Sequence, residues 1–512
     1  MSSNNPKKKL KISPKSSTIK TILAKRGYAI IKKHYSLKEL TELKSDLMVK
    51  PYVNEEYGAS PDPYPIYLES DKKIYIPKHI GFEKFGHPDK IKLTKGIEID
   101  VEFKGSLRDK QTPIIQSFIN SCEEGNMKEK SNGGIISVPC GWGKTIMALY
   151  LIGKLKRKTM IIVHKEFLLN QWIKRIEEFL PEARVGIIQA SKVDYKNKDI
   201  VIGMLQSLSA KEYDVDEVFG EFGFTVVDEC HHIAAEVFSR SLPKVNSYYS
   251  LGLSATPKRP DGLSHVFEAY LGPMVYKVNK RDDKLVRVNI IKYRDQNPEY
   301  NKEELSAYGK LCIPRMINNL VANFSRNMVV KSILKILVKD GRQTLVLSDR
   351  RDHLKNLFEM VSEFATVGYY VGGMKQKDLD KSEEMQVILG TYPMSSEGLD
   401  IPTLDAVIFT TPKSSIEQSI GRITRKNHEK TPVAYDIVDQ FSLFPRQFEK
   451  RLKVYKKLEY EVYEQEIDIT SSSDQNNVDY QINSNEIVKI ELKKPRKKKE
   501  KQPVCEIMSE ED

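Results

Sequence analysis

The chain has 512 residues, 40% of them hydrophobic and 30% charged, with a formal net charge of +12. That length exceeds one hydrophobic core and predicts about three folded units. No run reaches the roughly 18 apolar residues of a membrane helix, so no membrane partner is expected.

Residues 1–25 read as a disordered basic tail, carrying Pro6-Lys7-Lys8-Lys9 and lacking the apolar stretch of a secretory signal. Residues 26–100 predict a small N-terminal α+β domain, with a helix over Leu37–Met48 and a strand at Lys73–Ile76. Across residues 101–275 apolar strands alternate with amphipathic helices. The strands are Ile135–Val138, Met160–Val163, Ile200–Ile202, Phe224–Val227 and Leu251–Leu253. Residues 276–319 read as a connection. A second series follows over 320–470, with strands at Thr344–Leu347, Val387–Leu389 and Ala406–Phe409. The fold class is α/β, with two tandem parallel-sheet domains. Residues 471–512 read as a disordered tail, holding Ser471-Ser472-Ser473 and the basic run Lys493–Lys501.

Cys122, Cys140, Cys230, Cys312 and Cys505 are odd in number and contain no CxxC pair, which predicts free thiols and an intracellular location. The excess of Lys+Arg (82) over Asp+Glu (70) favours a polyanionic partner. The run Lys493–Lys501 could serve as a nuclear address or a phosphate contact, and a solvated tail is the favoured reading.

The strongest chemical signal is Val138-Pro139-Cys140-Gly141-Trp142-Gly143-Lys144-Thr145, a strand entering a glycine-containing loop that opens a helix over Ile146–Leu155. Backbone N–H groups of such a loop cradle a triphosphate, the lysine reaches its β/γ phosphates, and the threonine hydroxyl binds Mg²⁺. Val138 stands where the general GxxxxGK[ST] pattern has its first glycine. Further along, a strand ends in Asp228-Glu229-Cys230-His231. Carboxylates at the C-terminal edge of a parallel sheet face that loop, so Asp228 would hold Mg²⁺ and Glu229 would orient and deprotonate the attacking water. A zinc reading of Cys230-His231-His232 lacks ligand spacing. Ser254-Ala255-Thr256 and Gln418-Ser419-Ile420-Gly421-Arg422-Ile423-Thr424-Arg425 mean little alone and gain meaning from their order after the first two motifs.

Taken in order, Leu107-Arg108-Asp109-Lys110-Gln111, the GWGKT loop, DECH, SAT, Gly390-Thr391 with Glu397-Gly398-Leu399-Asp400, and QSIGRITR resemble the successive motifs of superfamily 2 DExH helicases, over roughly Leu107–Tyr463. The Pro-Cys-Gly-x-Gly-Lys loop, Gly252–Pro257 with Arg259-Pro260-Asp261-Gly262, and the Gly-Arg-Ile-Thr-Arg ending are similar to the XPB-like branch. Within it they resemble the transcript-release helicases of poxviruses and other large cytoplasmic DNA viruses. The resemblance implies two RecA-like domains holding one ATP between their facing edges, with ATP and Mg²⁺ as cofactors. Gln111 would read the adenine edge, and His231 would join the nucleotide site. Ser254 and Thr256 would couple hydrolysis to domain closure, while Gly398 and Asp400 would approach the nucleotide from the second domain. Arg422 and Arg425 would meet the γ-phosphate, with Gln418 beside them among the catalytic residues. Cys230 replaces the Ala or Val of relatives.

The same resemblance places a nucleic-acid strand against His164-Lys165, Gln206-Ser207 and Thr391-Tyr392, and implies DNA with 3′ to 5′ polarity, a role in transcription with an RNA polymerase as partner, and a place in host cytoplasm and virion. Contacts there go to phosphate and sugar, which suits stepping without regard to sequence. RNA is the alternative substrate. Another reading makes the chain a restriction-type nuclease motor, because Glu102-Phe103-Lys104 with Asp89 loosely resembles a nuclease core; as an edge strand leading into the first domain, the triplet has a plainer explanation. A non-enzymatic relic would show a damaged lysine, glutamate or arginine, and Lys144, Glu229 and Arg425 are all intact.

Overall fold

The computed structural model describes residues 19–52, 62–122, 132–139, 141–230, 235–255, 262–278, 286–397, 399, 401–425, 428–469 and 488–490. The chain divides into two compact units, Met1–Asn279 and Lys280–Asp512.

In the first unit eight strands form one sheet, in the order Lys192–Val193, Val185–Gln189, Ile200–Met204, Thr159–Val163, Phe224–Val227, Tyr249–Ser254, Gly133–Ser137, Met274–Lys277. All neighbours run parallel except the Lys192–Val193 edge. The central strands are buried on both faces, which is why they read as unbroken apolar runs. Successive side chains still go to opposite layers. Met160 and Ile162 join one core cluster while Ile161 and Val163 join the other. Truncating one of these isoleucines to alanine would cost about 2–5 kcal/mol. Helices Lys144–Leu155 and Glu166–Phe179 pack their apolar faces into the second cluster.

The N-terminal region is a five-stranded sheet, Leu68–Glu69, Lys73–Ile76, Gly27–Ile31, Thr21–Ala24, Lys90–Ile91, with helices Leu37–Asp46 and Lys78–Phe85. Thr21–Ala24 corrects the expected tail, because the short TILA segment pairs antiparallel with Gly27–Ile31. This sheet shares a core with the eight-stranded sheet of the same unit: Tyr28, Ile30 and Ile74 lie in one cluster with Met160, Ile162, Phe238, Phe267 and Tyr270. Buried Lys78 Nζ donates to the carbonyls of Ser247 (3.0 Å) and Tyr248 (3.2 Å), and Tyr270 Oη donates to Ile66 O at 3.2 Å. Glu102-Phe103-Lys104 forms no strand, contrary to expectation. Lys104 pairs with Glu102, its N–H donates to Phe179 O (2.8 Å), and the Phe103 ring stacks on Phe179. Asp89 accepts from the backbone N–H groups of Lys20 (2.7 Å) and Thr21 (2.9 Å), which ties down the first strand.

The second unit repeats the architecture: Val367–Tyr370, Val387–Thr391, Thr344–Ser348, Ala406–Phe409, Val433–Asp439, Arg287–Asp295, Glu461–Ile469, Val488–Ile490, with only the last strand antiparallel. Two expectations are corrected here. The supposed connection contains Arg287–Asp295, which pairs parallel with both Val433–Asp439 and Glu461–Ile469, and the helix Ile313–Ala322. The supposed C-terminal tail contains the strand Val488–Ile490.

Candidate active site

The strand Gly133–Ser137 delivers the chain to the loop, and Val138 N–H donates to Ser254 O of the neighbouring strand at 3.0 Å. Gly141 and Gly143 have φ of +83° and +79°, left-handed values that favour glycine. At Gly143 a Cβ would also stand 2.5 Å from Gln111 Nε2. The buried Gln111 amide braces this turn: Nε2 donates to Trp142 O (2.8 Å) and Oε1 accepts Arg108 N–H (2.8 Å). Lys110 Nζ sits 4.4 Å above the Trp142 ring. Lys144 and Thr145 open the twelve-residue helix that follows, so its first N–H groups and positive dipole end lie beside the loop.

The strand Phe224–Val227 brings Asp228 and Glu229 to the same sheet edge. Lys144 Nζ contacts Glu229 Oε1 at 2.7 Å, joining residues 85 apart in sequence. Glu229 has φ +45°, a left-handed value for a non-glycine residue, and such backbone costs on the order of 1–2 kcal/mol. Asp228 is buried. Trp172 Nε1 donates to its Oδ2 at 2.9 Å, and Glu229 N–H donates to Oδ1 at 2.9 Å. Burial, and secondly the Glu229 charge, push the Asp228 carboxyl up to about 6, with Lys144 opposing. Two adjacent carboxylates in so dry a place favour a hard divalent cation, and the Thr145 hydroxyl supplies another oxygen donor near the loop. The residues therefore fit a metal–triphosphate: N–H groups and ammonium for the anion, Asp228 and Thr145 for the cation. Burial raises the Cys230 thiol to about 12, so this position acts as a small apolar side chain.

Ser254 is fully buried at the end of Tyr249–Ser254. His164 and Lys165 follow the strand Thr159–Val163, and exposed Gln206 donates from Nε2 to His164 O at 2.8 Å. Ser207 Oγ accepts Ala190 N–H at 2.9 Å. In the second unit, Gln418 lies in the helix Glu417–Ile420, while Arg422 is buried and donates from Nη1 to Leu399 O at 2.8 Å. Arg425 is half-buried, and Thr391 ends its strand half-buried. Tyr392 corrects the expected strand contact. Its ring is buried and stacked with Phe409, and its hydroxyl donates to Thr411 O at 2.8 Å. Cys140, His231, Thr256, Gly398 and Asp400 lie outside the described residues.

Sequence reading missed Trp172. Its only signal is a large hydrogen-bond donor in the apolar stripe Leu168, Leu169, Trp172, Ile176.

Residues 104–259 match the family described as "Type III restriction enzyme, res subunit", and residues 327–427 match "Helicase conserved C-terminal domain". The chain is 37% identical over 459 residues to "Putative ATP-dependent RNA helicase L396" of Acanthamoeba polyphaga mimivirus, covering 87% of each chain. It is 30% identical over 381 residues to "Putative helicase 161L" of Invertebrate iridescent virus 6, covering 70% of this chain and 83% of that one. It is 25% identical over 358 residues to "Probable helicase D10" of Escherichia phage T5, covering 68% and 74%. With a loop for ATP, carboxylates beside its lysine and both helicase domains in order, this chain belongs to the superfamily 2 helicases and is an ATP-dependent enzyme of that family.

Proposed function

We propose that the chain couples ATP hydrolysis, with Mg²⁺ held by Thr145 and Asp228, to 3′ to 5′ translocation along one strand of DNA, in transcript release beside an RNA polymerase. The observation that carries the hydrolytic part is the Lys144–Glu229 contact at 2.7 Å beside Asp228. Bound Mg²⁺ would neutralise phosphate charge. Glu229 would orient and deprotonate water, and Lys144, released from Glu229, would take the β/γ phosphates. Gln111, Pro139–Gly143, His231, Gly398 and Asp400 complete the proposed nucleotide contacts, while Arg422 and Arg425 are proposed to stabilise the departing phosphoryl charge, with Gln418. Ser254 and Thr256 are the proposed coupling residues. His164, Lys165, Gln206, Ser207 and Thr391 are the proposed strand contacts, the first four gathered at adjacent strand ends by the Gln206–His164 bond.

The DNA and transcription parts rest on the XPB-like motif set. RNA is the second reading, favoured by the name of the mimivirus relative, an ATP-dependent RNA helicase. Steady-state hydrolysis with no polynucleotide, single-stranded DNA, duplex DNA and RNA separates them. DNA should stimulate about tenfold or more, with little sequence preference and an affinity that falls steeply with salt. Stronger stimulation by RNA replaces the DNA reading, and stimulation by neither removes the translocase.

A further inference from the structure

We infer that Trp172 is a positioning residue through which a strand bound at His164-Lys165 acts on Asp228; this rests on the nucleic-acid reading above. One rigid helix, Glu166–Phe179, connects the two places. Lys165 is its N-cap, and His164 is fixed to the neighbouring strand end by Gln206 Nε2 at 2.8 Å. Seven residues on, about 10 Å along the axis, Trp172 is buried on the same face. Its indole has a single donor, and that N–H goes to Asp228 Oδ2 at 2.9 Å.

Packing alone does not call for this arrangement. The other buried positions of the helix are Leu168, Leu169 and Ile176, and a phenylalanine would fill the stripe at position 172 without a polar atom. The indole instead satisfies a buried carboxylate oxygen, and together with Glu229 N–H it fixes the plane of the carboxylate. A shift of the helix by a strand seated at its N-terminus therefore moves the donor that orients Asp228. Glu229 is held from another element, by Lys144 of the loop helix.

The chain holds only two tryptophans, Trp142 and Trp172, so Trp142→Phe isolates the emission of Trp172. Adding single-stranded polynucleotide without nucleotide should shift that emission. In Trp172→Phe, polynucleotide-saturated hydrolysis should fall about tenfold further than polynucleotide-free hydrolysis, the scale of one charge-assisted hydrogen bond. Site-specific β-(3-benzothienyl)alanine at position 172 keeps the shape and lacks the N–H, and it should reproduce the loss of stimulation even where Trp172→Phe perturbs packing. Equal losses with and without polynucleotide, or wild-type stimulation with the benzothienyl side chain, would overturn the inference. Fluorescence anisotropy of labelled polynucleotide separates the two levels. Binding with unchanged emission sinks this coupling alone, and absence of binding to the unmodified chain sinks the nucleic-acid reading together with it.

Discussion

Two groups of buried charges, one in each sheet, are placed in opposite ways. In the first, the ions stand at the C-terminal strand edge: Lys144 against Glu229, and Asp228 held between an indole and a backbone N–H. In the second, they are sealed inside. Arg326 grips Asp439 with two hydrogen bonds (2.7 and 3.0 Å) and both side chains are fully buried, while Arg451 and Tyr455 share Asp436 Oδ2 at 2.8 and 2.7 Å. Burial of charge alone therefore does not mark a reactive site. The mark is placement at an open strand end, with strained backbone at Glu229 and a carboxyl pushed away from its ordinary range at Asp228.

The contrast can be broken by one substitution in each unit. Lys144→Ala should lower ATP hydrolysis at least about 100-fold while the thermal unfolding midpoint moves less than in Arg326→Ala, because Lys144 and Glu229 keep 10% and 13% of their side chains exposed whereas Arg326 and Asp439 keep none. Arg326→Ala strands the Asp439 carboxylate in the interior and should cost about 3–5 kcal/mol in chemical denaturation. A stability loss from Lys144→Ala as large as that from Arg326→Ala would erase the distinction.

A smaller effect sharpens it. His353 is buried beside Arg326, its Nδ1 3.0 Å from Ser348 Oγ and its Nε2 2.9 Å from Asn327 Oδ1. Burial first, then the Arg326 charge, lower its pKa to about 3. As pH falls below 6.5 the unfolded chain takes up a proton that the folded chain refuses until about 3, so stability is full above 6.5 and drains across that window. The loss should reach about 2 kcal/mol by pH 5. Denaturation of His353→Gln across pH 7 to 5 should show a flatter acid limb; an unchanged slope would mean that His353 is not the group sealed away.

Much of this was legible in the sequence. The doubly buried strands could be read because parallel strands covered on both faces need unbroken apolar runs, and the GWGKT and DECH segments because phosphate and metal chemistry dictates their residue types. Arg287–Asp295 was hidden by its position: it mixes Arg287, Asn289, Lys292 and Arg294 with apolar residues, and looked like a polar connection. Tyr392 was misplaced because the resemblance carried it over together with its neighbour Thr391, yet its ring faces Phe409. Trp172 could not be found, because its partner Asp228 lies 56 residues away and no local pattern announces that hydrogen bond.

The central claim, that Glu229 activates water at an ATP site built by the first sheet, is tested most directly by Glu229→Gln in the full chain. Nucleotide affinity should be read by a fluorescent ATP analogue, alongside steady-state hydrolysis with the most stimulating polynucleotide. The account predicts that Glu229→Gln still binds the analogue while hydrolysis falls by about 10²–10⁴; hydrolysis at the unmodified rate would contradict it.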